Sequence, residues 1–332
     1  MKPRLVGALV ATTVLALVGL FLLHAPNDFS DNHPGAPFAF EIGQGELGSS
    51  IAHHLVSSGV IKDAGRFIQI FSGDATARAI SPGIHLIQTH ISSKRAISQL
   101  LDPTRIQGLI KIREGSTFKD LLRQLRASRT IDMTTPVISS ITPPLPNPAG
   151  SWEGQLAPVQ YSFPSHTSSS KAIASMSAAF AHEIASIHLA QGVPGFTAYQ
   201  NLTIASMVQI EGDNASFGKV ARVIVNRLKI GMPLQLNSTV QYAQGTQGSI
   251  TLSRNATQRP SAYNTYLHVG LPPTPISFPS VAALQATLSP TAGDWLYFIT
   301  VKPGDTRFTS HYDEFEGWVT LFNSNVYKGL FK

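Results

Sequence analysis

The stretch from Asn201 to Leu236, NLTIASMVQIEGDNASFGKVARVIVNRLKIGMPLQL, decides how the rest of the chain is read. It predicts two helices. Residues 202–210 lack Gly and Pro, and Ile204, Met207 or Val208, and Glu211 recur at helical spacing, which puts Glu211 on the apolar stripe. Gly212, Asp213 and Asn214 stop that helix. The second carries Phe217, Val220, Ile224 and Leu228 on one face and ends at Gly231. A carboxylate on an apolar face loses the hydration of its anion, and a helix C-terminus adds negative partial charge, so both raise its pKa. A glutamate still protonated near neutral pH has what a general acid needs. The competing structural reading turns Glu211 onto a solvated flank, where it merely ends the helix.

Working outward, Ser169–Ala190 predicts a long amphipathic helix with Met176, Phe180, Ile184 and Ile187 inward and His182 and Glu183 on the wet side. Around and after Leu236, the residues Gln235, Asn237, Thr239 and Tyr242 are expected to line an extended segment. Asn264, Thr265 and Tyr266 then precede a rigid GLPPTP loop. Amides bond sugar hydroxyls and N-acetyl groups, and flat rings stack on pyranose faces, so this mixture suits a sugar groove. Residues 281–288 predict a short helix, WLYFITV a buried strand, and KPGD a hairpin turn before RFTSHY.

Toward the N-terminus, FAFEI alternates as a strand, GSSIAHHLVSSGVI reads as a helix, GIHLIQTHIS as a strand, and Ser92–Leu101 as a helix capped by Ser92 or Ser93. LIKIREGSTFKDLLRQL repeats the strand–Gly–helix scheme, with Glu114 placed to satisfy first-turn N–H groups. Residues 134–148 are Pro-rich and read as a hinge. His53 and His54 are adjacent, so they do not share a helix face as metal ligands would. Leu5–Leu23 runs 19 residues without a charge, behind Lys2 and Arg4 and ahead of Asp28 and Asp31. Such a run spans a hydrocarbon core of about 30 Å and exports the chain beyond it. A cleaved signal peptide competes, but its apolar core would be shorter and end at small residues.

The 332 residues exceed one small core, which favours two domains plus extras. The absence of cysteine excludes disulfides, thiol catalysis and cysteine metal sites. The net charge of +6 is modest, and no Lys/Arg run interleaved with aromatics suggests nucleic acid. No G-x-S-x-G occurs, and the three S-x-x-K matches lack S-D-N or K-T-G partners.

Several stretches together resemble the MltG/YceG endolytic murein transglycosylase family. ASMVQIEG, VARVIVNRLKIGMPLQLNSTVQYAQG, SAYNTYLHVGLPPTPISFPS and DWLYFITV stand in the order of that family's motifs. Glu153, Gly154, Leu156, Pro158 and Tyr161 match its E-G-Y-L-F-P-D-T-Y segment, with Val159 where the family has Asp. Asn237-Ser238 stands where the family has Asp-Pro, Arg307 and Phe315 stand where it has histidines, and Glu314 is retained.

The resemblance implies an α+β protein: an anchor in 1–24, a linker in 25–37, a LysM-like module in 38–105, a second small unit and hinge in 106–145, and a catalytic domain in 146–332. It implies peptidoglycan glycan strands as substrate, Glu211 as acid and base, and no metal or cofactor. Substrate contacts fall to Asn226, Arg227, Gln235, Asn237, Thr239, Tyr242, Asn264, Tyr266, Glu153 and Glu314. It further implies peptidoglycan synthases as partners and an external catalytic domain on the bacterial inner membrane. A non-catalytic wall-binding or scaffold protein is the competing expectation, because some family residues are replaced.

Overall fold

The computed structural model describes residues 27–43, 45–133, 141–146, 150–164, 166–248 and 252–331. The apolar run Leu5–Leu23 and most of the Pro-rich stretch lie outside the described residues. Among those described, no helix is long and apolar enough to cross a membrane. The fold is a mixed α+β one, and the chain divides into two compact units.

The smaller unit runs up to Leu109 and takes in Ser162–Ser165. Its sheet has the order β1-β2-β3, from Pro37–Ile42 (β1), Gly83–Gln88 (β2) and Ile106–Gln107 (β3), all antiparallel. Alternation along β1 buries Phe40 and Ile42. Three helices pack beside it: Gly48–Ser57 (α1), Ala64–Gly73 (α2) and Ser93–Leu101 (α3). Their inward residues Leu55, Phe67 and Leu100 close one core with Phe40 and Ile87.

Ser92 caps α3 through Arg95 N at 3.2 Å. Two residues of the expected spacer join that helix end: Asp31 accepts from Ser92 N at 2.8 Å and Asp28 from Ser93 N at 3.0 Å. Carboxylates are favoured there because first-turn N–H groups have no helical partner.

The larger unit comprises Ile110–Tyr161 and His166–Lys332. Leu109–Lys111 (β4) pairs with Gln160–Ser162 (β6), and Ile131–Asp132 (β5) pairs in parallel with Thr167–Ser168 (β7). Phe118–Ala127 (α4) begins with a capping box between Thr117 and Asp120. Glu114 therefore has no capping role, contrary to expectation; the nearer Thr117–Asp120 pair already answers those N–H groups. Ser169–Ser186 (α5) buries Met176 and Phe180 as expected. Glu183 is a correction: its Oε1 is buried without a hydrogen-bond partner, and burial plus the nearby Glu114 charge pushes its pKa up to about 7.

Ala198–Glu211 (α6) is the centre of this unit. A capping box of Thr197 and Gln200 starts it, and residues 201–208 are all buried. Instead of one apolar stripe, α6 is enclosed on every side, as befits a helix in the middle of a core. Phe217–Lys229 (α7), Asn237–Gln244 (α8) and Val281–Leu288 (α10) pack around it, with Arg254–Thr257 (α9) a single turn between. Tyr297–Lys302 (β8) and Asp305–Thr309 (β9) form the expected hairpin, followed by Tyr312–Tyr327 (α11).

Candidate active site

Glu211 is the last residue of α6, and the chain leaves the helix at Gly212. Part of its surface opens on a cavity of about 660 Å³, while its carboxyl lies deep enough for lost hydration to govern its ionisation. Burial raises its pKa, and contacts from Ser238 pull the other way. The Ser238 N–H donates to Glu211 Oε1 at 3.3 Å. No salt bridge to Glu211 forms among the described residues. A buried acid without a counter-cation stays protonated to higher pH than an ordinary glutamate.

Around it stand Arg227, Gln235, Asn237 and Tyr266, with an aromatic wall of Tyr297, Tyr312, Phe315 and Phe322. Tyr297 stacks on Phe315 with ring centroids 5.3 Å apart, and the Arg227 guanidinium lies 5.3 Å from the Tyr297 ring centre. Tyr266 Oη donates to Asn237 Oδ1 at 2.7 Å. Burial, and then the neighbouring Glu211 charge, pushes the Tyr266 pKa up to about 12. Gln235 has φ +50, a left-handed backbone that residues other than Gly rarely adopt, with its side chain exposed at the cavity. Glu211 is the only carboxylate among the described residues lining this cavity. A larger cavity of about 840 Å³, bounded by Tyr199, Leu228 and Pro272, is lined by no carboxylate among the described residues.

Five of the expected site residues thus meet in one place: Glu211, Arg227, Gln235, Asn237 and Tyr266. The others have structural partners. Asn226 donates to Gly293 O and Trp295 O, and Asn264 to Thr257 O and Arg259 O. Thr239 is buried, donating to Leu236 O at 2.8 Å. The stretch holding Thr239 and Tyr242 is the helix α8 and not an extended segment. Tyr242 Oη donates to Glu153 Oε2 at 2.9 Å, and both line a separate cavity of about 520 Å³. Burial of Glu153, opposed by donation from Phe118 N at 2.9 Å and from Tyr242, pushes its pKa up to about 7. Glu314 is exposed in the first turn of α11.

Arg227 uses its guanidinium on main-chain carbonyls: Nε to Leu296 O at 2.6 Å and Nη1 to Leu234 O at 2.7 Å. It lines the cavity while fixing the two segments that form its edge.

The aromatic wall is absent from the sequence expectations. WLYFITV is half-buried over most of β8, not the buried strand expected, because one face looks into the cavity. Tyr312, Phe315, Val319 and Phe322 follow a helical period that would have pointed to the same face. Among the described residues no group of His, Cys, Asp or Glu could hold a metal.

The pattern of the YceG-like family matches residues 40–320. This chain belongs to the YceG-like family. An endolytic murein transglycosylase of Streptococcus pneumoniae serotype 2 is 34% identical over 168 residues, covering 49% of this YceG-like chain and 30% of that protein. One from Bacillus subtilis is 39% identical over 109 residues, covering 32% of this chain and 30% of that protein. The aligned segments therefore span under a third of these relatives' length. A solved yceG-like protein of Listeria monocytogenes shares the fold, with TM-score 0.54 at 23% identity over 85% of this chain and 98% of that one.

Proposed function

We propose that this YceG-like protein is an endolytic lytic transglycosylase that cleaves the β-1,4 bond between MurNAc and GlcNAc in peptidoglycan strands. The observation that carries the reading is the buried carboxyl of Glu211, its pKa raised by lost hydration, as the one carboxyl among the described residues lining an aromatic-walled cavity. A glycosidase with two carboxyl groups needs the second within about 5–9.5 Å of the first. A transglycosylase does not. Glu211 gives its proton to the glycosidic oxygen, the C1–O bond breaks, and the leaving sugar keeps the electron pair. The carboxylate then takes the proton of the substrate's own O6 hydroxyl as O6 bonds to C1, which leaves a 1,6-anhydro end. The ring faces of Tyr297 and Phe315 suit stacking on pyranoses, and Gln235 and Asn237 suit hydrogen bonding to their substituents.

Residues 5–23 supply a membrane anchor in this reading, with the two described units on the external side. The test is digestion of purified glycan strands with mass analysis of the products. Wild type is expected to give anhydro ends, and Glu211→Gln to lose them by at least about a hundredfold with the fold retained. Reducing ends from wild type would make it a hydrolase, and intact strands would leave a binding or scaffold role.

A further inference from the structure

Ser238 sits in the first turn of α8, an eight-residue helix, with its main-chain N–H on Glu211 Oε1. Its side chain is 4% exposed, and its hydroxyl oxygen is buried without completing a hydrogen bond. That hydroxyl nonetheless lies close enough to the Glu211 carboxyl to favour the anion.

We propose that Ser238 is a positioning residue that lets Glu211 serve in turn as acid and base; this rests on the proposed role of Glu211 as the catalytic acid. An N–H on Oε1 favours Oε1 as the carbonyl-like acceptor, so the transferable proton sits on Oε2. When that proton leaves, Oε2 gains one lone-pair site and the carboxylate a full charge. The Ser238 hydroxyl, having no other partner, turns its O–H to the new anion. Hydrogen bonds to charged groups are about twice as strong as neutral ones, so this donor counts most in the charged state that takes the proton from O6. The two donors transfer no proton themselves.

Asn237-Ser238 stands where the sequence resemblance implies Asp-Pro, and a proline there would have no N–H to donate. Asn237 is neutral and takes its hydrogen bond from Tyr266, so it adds no like charge beside Glu211.

The experiment compares wild type, Ser238→Ala, Ser238→Thr and Ser238→Pro by the pH dependence of anhydro-product formation. It adds a direct titration of 13C-labelled glutamate carboxyls, with Glu211 assigned by the signal missing in Glu211→Gln. Activity falls as pH rises through the acid's pKa. Losing the hydroxyl in Ser238→Ala should therefore move that limb, and the Glu211 carboxyl midpoint, up by about one pH unit, the worth of one hydrogen bond to a charged group. Ser238→Pro, which lacks both donors, should move them further, and Ser238→Thr should restore the wild-type midpoint. The titration needs no turnover and reads any variant that folds. An unchanged Glu211 midpoint in both Ala and Pro variants overturns the proposal even where wild type makes anhydro ends. A wild type that makes none overturns the reading of Glu211 itself.

Discussion

At the scale of single residues, two oddities share one edge of the cavity: an acid with no cation and a glutamine with a left-handed backbone. Gln235 keeps φ +50 because its N–H reaches Thr265 O at 3.0 Å while its side chain stays in the opening. Such conformations cost on the order of 1–3 kcal/mol in residues with a Cβ and persist where function holds them. Gln235→Gly removes the strain but adds freedom to the unfolded chain, which offsets about 0.5–1 kcal/mol. The variant is expected to equal or exceed wild type in stability by up to about 2 kcal/mol while binding glycan strands several-fold more weakly. Urea melts and strand pull-down would check both halves, and a less stable Gly variant would show that the backbone is not strained.

The sequence marked Glu211 through a period and a stop signal, both local. It could not mark Ser238 or the wall at Tyr297 and Phe315, which meet Glu211 only through chain reversals of tens of residues. Glu153 shows how a motif differs from a location. The resemblance implies a substrate contact there; the side chain is 4% exposed, bonded to Phe118 N and Tyr242 Oη, and lines a cavity separate from that of Glu211.

At the scale of elements, α7 acts as a clamp. Arg222 from its middle and Asn226 and Arg227 from its last turn hold the carbonyls of Pro290, Thr291, Gly293, Trp295 and Leu296, the approach to β8. That approach has few backbone partners of its own, so side chains supply them. The helices themselves were legible because their caps and apolar spacing are local; α8 was misread because Asn237-Ser238-Thr239 carries turn formers, and only packing of Val240 on the core makes it helical.

Arg227 also reaches forward to Leu234 O, so it ties β8 to the segment that leads into Ser238. Lysine carries one ammonium in place of a fork and leaves at least one of the two carbonyls unpaired. Arg227→Lys is expected to cost about 1–3 kcal/mol and to lower turnover at least tenfold through a misplaced Ser238 and Tyr297. Normal turnover in a variant destabilised by that amount would separate the clamp from the site.

At the scale of the molecule, the two units are set to answer acid in opposite directions. In the larger unit, burial raises the carboxyls of Glu153 and Glu183 from 4.5 to about 7. A carboxyl whose folded pKa exceeds its unfolded one binds more protons when folded, so stability falls as pH rises from 4.5 to about 7. For the enclosed Glu153 alone the change is about 3 kcal/mol; Glu183, more open, adds in the same direction. In the smaller unit His85 is fully buried, its Nε2 on Ser81 O at 2.8 Å, and desolvation lowers its pKa below 6.5. A histidine kept neutral by burial binds fewer protons folded than unfolded, so that unit loses stability as pH falls through 6.5.

The chain offers a clean way to read the two apart, because its three Trp and eight Tyr all fall in the larger unit. Going from pH 7 to pH 5, the urea midpoint seen by intrinsic fluorescence should rise. Hydrogen exchange of amides around Phe40, Leu55 and Ile87, corrected for intrinsic rate, should show weaker protection over the same step. Glu153→Gln should flatten the fluorescence trend and leave the exchange trend alone, since the amide cannot ionise. If both probes move together in wild type, the units open as one cooperative body, and the net slope then reports which buried group prevails.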